Sequence, residues 1–156
     1  MIPNFEFQNG QCLPACVALI FNDSRILDKH PPKKHGYMMT EIGRMLPDGV
    51  WFDLLGTAQD LFADLILFSL PSVFPDESID DIFVPFICET TNHAILMLVR
   101  AMNQDVFWFD ALNNKSGKTK LSAMNFEKTK SIWTLNDFIT NSVLGLNAPE
   151  IKHLIR

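Results

Sequence analysis

Gln8-Asn9-Gly10-Gln11-Cys12-Leu13-Pro14-Ala15-Cys16-Val17-Ala18-Leu19-Ile20-Phe21 passes from four polar residues into a run that is apolar on every side. Proline is tolerated in a first helical turn, where its missing N–H has no partner to lose. Pro14 therefore marks a helix start, and Asn22-Asp23-Ser24 an end. A helix apolar all round is a buried helix. Cys12 stands at its mouth, where free N–H groups and the helix dipole favour a thiolate. Cys16, one turn on, has only Ala15, Val17, Ala18 and Leu19 about it and reads as an inert core thiol.

Working outward, 156 residues with 47% hydrophobic and 20% charged side chains suit one folded domain, spanning residues 1–156. Thirteen basic against eighteen acidic residues leave a net charge of −5, which opposes phosphate binding, so nucleic acid is not an expected partner. The longest apolar stretches are broken by Asp64, Pro71 and Pro85, short of the roughly 20 residues that cross a bilayer. With no secretion signal at Met1-Ile2-Pro3-Asn4, no membrane is expected, and the chain reads as cytoplasmic or delivered into a host cell. Three cysteines make no even-numbered disulfide framework.

Asp28 to Gly36, with Pro31-Pro32, reads as a surface loop. Met38 to Met45, apolar at Met38, Ile42 and Met45, reads as a short amphipathic helix. Gly56 to Leu70 is open between helix and strand. Ile82 to Cys88, Ala94 to Val99 and Val106 to Phe109 are strands by their Ile, Val, Phe and Trp content, and Ser131-Ile132-Trp133 adds another before a closing helix over Leu135 to Leu144. Asp76 to Asp81 reads as a solvated acidic loop, Lys115 to Lys120 as a basic turn, and Trp51, Phe52 and Phe83 as core. For Ala148 to Arg156, a docking helix and a frayed end are both open. Leading helices followed by an antiparallel sheet predict an α+β domain.

A nucleophilic thiol needs a base. His93 follows Thr90-Thr91-Asn92 and opens the strand beginning at Ala94; Asp110 closes Val106-Phe107-Trp108-Phe109. If the connecting turn centres on Met102 and Asn103, Asp110 falls opposite Ile95, on the face of His93 and two positions away. That diagonal is about 7 Å between backbones, within reach of an imidazole and a carboxylate. Cys12, His93 and Asp110 would then serve as nucleophile, base and orienter.

The windows Gln8-x3-Cys12-Leu13-Pro14-Ala15-Cys16, Asn92-His93-Ala94-Ile95-Leu96 and Phe107-Trp108-Phe109-Asp110 together resemble the papain-like cysteine peptidase superfamily. The C39-like peptidases are the nearest match, with similar His and Asp segments in Josephin deubiquitinases and YopT-type effector peptidases. The resemblance implies a papain-like fold, its nucleophile at the start of a buried helix packed on an antiparallel sheet. It implies hydrolysis of a peptide or isopeptide bond, a peptide or protein substrate with a ubiquitin-like tail or a small-molecule amide as alternatives, and no cofactor. By position it implies Cys12 as nucleophile, His93 as base, Asp110 as orienting residue and Gln8 as oxyanion donor, with Gln11 the other candidate. The chain departs from the family in carrying Glu6 where the oxyanion Gln usually stands, and Leu13 where Gly follows the nucleophile. Asn9-Gly10-Gln11-Cys12-Leu13 is also similar to the corresponding stretch of OTU deubiquitinases, although Ala94 stands where they carry an aromatic.

Two other readings compete. Cys12-x3-Cys16-x13-His30-x4-His35 approaches the spacing of a two-Cys, two-His zinc finger, but Pro31-Pro32 denies the histidines a shared helix. Alternatively the chain is a non-catalytic papain-like domain that binds a peptide or protein partner.

Overall fold

The computed structural model describes residues 6–43, 51–53, 83–100, 103–135 and 154. The apolar run forms helix α1 (Cys12–Phe21), buried from Leu13 to Ile20, and Asn22 closes it in the left-handed conformation (φ 50°). The helix begins two residues before Pro14, which places that proline in the first turn. Two short helices follow, α2 (Arg25–Lys29) and α3 (Met39–Gly43). α2 lies partly where a loop is expected from Asp28; Asp23 starts it, accepting the Arg25 N–H at 3.0 Å, and Ile26 and Leu27 anchor it. In α3 the buried residues are Met39 and Ile42, while Met38 is 63% exposed, which corrects the expected apolar stripe by one position.

Among the described residues six strands form one antiparallel sheet: β1 (Trp51–Asp53), β2 (Phe83–Thr90), β3 (Ala94–Arg100), β4 (Asp105–Asp110), β5 (Lys115–Lys120) and β6 (Thr129–Leu135), in the order β1-β6-β2-β3-β4-β5. This is an α+β architecture. β2 and β3 lie at the centre and are buried through most of their length, which is why their sequences run continuously apolar instead of alternating. α1 packs on β3 and β2, joining Val17, Leu19 and Ile20 to one core with Ile87, Leu96 and Leu98. Leu154, near the chain's end, is buried in the same core. Proline is rare in a central strand, yet Pro85 fits because the β2–β6 ladder begins only at Ile87, and the Thr134 hydroxyl donates to its carbonyl at 3.1 Å.

Lys115 to Lys120 is not a turn but the edge strand β5, paired along its whole length with β4. Its Gly117 lies under the Trp108 ring, where a Cβ would come within 2.7 Å of the indole. Lys118 and Lys120 both pair with Asp105, the first at 3.2 Å. Leu135 ends β6 and does not begin a helix. Phe83 is only partly buried, edge-on to Phe107 at 5.6 Å between ring centres. The expectations for residues 56–70 and 76–81, and for a closing helix beyond residue 135, lie outside the described residues. Among the described residues no helix is long and apolar enough to cross a membrane.

Candidate active site

The turn between β2 and β3 is closed by His93, whose carbonyl accepts the Thr90 N–H at 2.8 Å and the Thr90 hydroxyl at 3.2 Å. His93 is thereby held at the very start of β3. The β3–β4 register pairs Leu96 with Phe109 and Met97 with Trp108, and one further step along it sets Asp110 level with Ile95. The diagonal to His93 is closed: His93 Nε2 lies 2.8 Å from Asp110 Oδ1. A carboxylate can only accept, so Nε2 carries the proton and, in the neutral ring, Nδ1 keeps its lone pair.

Asp110 is held from its other side by Asn113. The Asn113 amide donates to Oδ2 at 2.8 Å and its backbone N–H to Oδ1 at 3.3 Å. Burial works against the charge of Asp110, but the Asn113 side chain, the His93 ring and the Asn113 backbone N–H outweigh it and hold the carboxyl below its usual range. Asn113 is not among the residues singled out from the sequence. Its spacing of three after Asp110 is the available signal, since short polar side chains in turns bond to backbone and carboxylate neighbours at that distance.

Cys12 begins α1 and faces the same place. The backbone N–H groups of Ala94, Leu13 and Cys12 itself favour its thiolate. The helix start does not win here: burial raises the thiol pKa above its ordinary value, the three N–H groups pull it only part of the way down, and the charge of Glu89 adds to the rise. Cys12 is therefore a thiol at neutral pH. Cys16 is fully buried, and burial drives its thiol much higher. Cys88 is buried as well and lies 3.4 Å from the Thr129 hydroxyl.

The two glutamines part company with the site. Gln11 is buried, and its amide donates to the carbonyls of Leu27 at 3.2 Å and His30 at 2.8 Å while its oxygen accepts the Gln8 N–H at 3.1 Å. Every polar atom of its side chain is thus engaged in tying the start of α1 to the end of α2. The Gln8 side chain is exposed and does not line the cleft, whereas Asn9 does. Between them Gly10 adopts φ 84°, and a Cβ there would lie 2.1 Å from the Lys33 carbonyl oxygen, so only glycine lets the two loops approach.

Cys12 and His93 line a cleft of about 570 Å³. One wall is the loop from Lys34 to Met38, and another is the β2–β3 turn with Glu89, Thr90, Thr91 and Asn92; Leu112 and Asn113 stand beside His93. The loop wall is built from within: Tyr37 donates its hydroxyl to the Pro31 carbonyl, Lys33 pairs with Glu41 at 2.8 Å, and His30 donates Nδ1–H to Ile26 at 2.7 Å. His30 and Cys16 are thus engaged separately in the interior. Among the described residues no three His, Cys, Asp or Glu side chains gather as a metal site. Chemically, the arrangement sets an imidazole and a thiol in one cleft, with a carboxylate hydrogen-bonded to the ring. No family model, curated protein or solved structure matches the chain.

Proposed function

We propose that the chain is a papain-like thiol hydrolase that cleaves a peptide or isopeptide bond with Cys12, His93 and Asp110. The observation that carries this reading is the 2.8 Å contact of His93 Nε2 with Asp110, in a cleft that Cys12 also lines. A carboxylate behind an imidazole fixes its tautomer and stabilises the imidazolium that forms when the ring takes a proton. Because Cys12 rests as a thiol, the first step is general-base catalysis. His93 Nδ1 takes the thiol proton as sulfur bonds to the substrate carbonyl carbon. The imidazolium returns that proton to the leaving amine as the C–N bond breaks, leaving a thioester. Water then attacks the thioester carbon, gives its proton to His93, and the released sulfur recovers it as the acid departs.

The experiment is alkylation by iodoacetamide, followed residue by residue by mass spectrometry and paired with a fluorogenic peptide-amide assay. Cys12 should be modified at least about tenfold faster than Cys16 or Cys88, since only it lies open to the cleft. Turnover should disappear in Cys12→Ala and fall by roughly a hundredfold or more in His93→Ala. A second reading, a papain-like domain that binds a peptide or protein without cleaving it, is favoured by the burial that raises the Cys12 pKa and by Leu13 where the family carries Gly after the nucleophile. Equal, slow alkylation of all three cysteines, without turnover of any peptide amide, would select it.

A further inference from the structure

Glu89 lies near the end of β2, and its Cα is paired with that of Ala94 across the β2–β3 ladder. Directly opposed residues of an antiparallel pair share a face, with Cβ atoms about 4.5–5.5 Å apart. Glu89, Ala94, Cys12 and His93 all line the one cleft, so the Glu89 carboxylate shares it with the candidate nucleophile. The β2–β6 register shifts between Glu89 and Thr90, the kind of irregularity that re-aims a side chain. The Trp133 indole N–H then fixes the carboxylate by donating to Oε2 at 2.8 Å.

That leaves Oε1. Glu89 is half-buried and forms no ion pair among the described residues. The other charged groups at the cleft, Lys34, His35 and Lys130, are exposed, so water and salt screen them. A half-buried carboxyl group oriented by one neutral donor retains acceptor capacity at its second oxygen, which a cation with N–H groups satisfies best. We propose that Glu89 is a specificity residue that receives a guanidinium or ammonium group carried by the substrate next to the bond under attack. This deepens the hydrolase reading and rests on it for the word substrate. A cation held there also offsets the charge that disfavours the Cys12 thiolate, so the correct ligand eases deprotonation of the nucleophile.

The test uses the full chain, N-acetyl-arginine amide and its neutral isostere N-acetyl-citrulline amide. Binding is read from the indole N–H resonance of Trp133 in nitrogen-15 spectra, assigned with Trp133→Phe, because that proton is bonded to the carboxylate in question. The arginine compound should shift it saturably and bind at least about tenfold more tightly than the citrulline compound, a difference of the size expected for one charge-assisted contact. In Glu89→Gln, which keeps an acceptor for the indole, the two compounds should bind alike. Equal binding by the two compounds to the unaltered chain, or no shift with either, overturns the proposal without recourse to any variant. Fluorogenic amides with Arg or citrulline before the scissile bond separate the two ideas. Selective binding without cleavage leaves the cation subsite standing and removes the hydrolase; cleavage without preference for Arg removes the subsite and leaves the hydrolase.

Discussion

Both carboxylate oxygens of Asp110 are engaged, one by His93 and the Asn113 backbone, the other by the Asn113 amide. A carboxyl held below its unfolded value stabilises the fold above that value, and the contribution is lost as pH falls through the folded pKa. Asn113→Ala narrows the gap, so acid unfolding should begin at a higher pH and the Asp110 carboxyl, followed by carbon-13 NMR, should titrate nearer the ordinary range. If the hydrolase reading holds, the loosened ring should also lower kcat by roughly tenfold, the effect of about 1.4 kcal/mol. Cys16 has the opposite sign. Burial raises its folded pKa, so its contribution is complete below the unfolded thiol value, about 8.5, and declines as pH rises beyond it. Urea midpoints should therefore fall on the alkaline side. Cys16→Ala should remove about 1.4 kcal/mol per pH unit from that slope, the share of one thiol that ionises only in the unfolded chain.

At the scale of elements, the β3–β4 hairpin was legible once its turn is centred on Met102 and Asn103, which sets Asp110 opposite Ile95, and the Leu96 and Phe109 pair continues that register. β5 was not legible. Lys115-Ser116-Gly117-Lys118-Thr119-Lys120 has no apolar alternation, since an edge strand with its side chains largely in water needs none. What makes it a strand is the neighbouring β4: a ladder along all six residues, Asp105 between two lysines, and Trp108 seated over Gly117. Gly117→Val should therefore cost about 1–3 kcal/mol through overpacking, and a shift in tryptophan fluorescence should accompany the lower urea midpoint. α2 as a whole was missed for a related reason. Five residues are too few to show a helical period, and its C-terminal carbonyl at Leu27 is satisfied by Gln11, sixteen positions earlier.

For the whole molecule, α1 is the plug on which the central strands close, and the site exists because that plug carries Cys12 to the strand end that holds His93. Leu96 lies in the middle of β3, fully buried between neighbours on β2 and β4. Leu96→Ala should cost about 2–5 kcal/mol, a large part of the 5–15 kcal/mol typical of such domains, and equilibrium urea unfolding measures it. The sequence alone determined the buried helix with a thiol at its head, the apolar central strands, and the approach of His93 to Asp110. Those features follow from local periodicity, proline and turn chemistry, all carried by residues close together along the chain. The tertiary structure alone decided the burial of Cys12, the engagement of Gln11 away from the cleft, the support of Asp110 by Asn113, and the place of Glu89 in the same cleft as Cys12. Desolvation and the choice of hydrogen-bond partners depend on which distant segments share a face, and no short window of sequence carries that information.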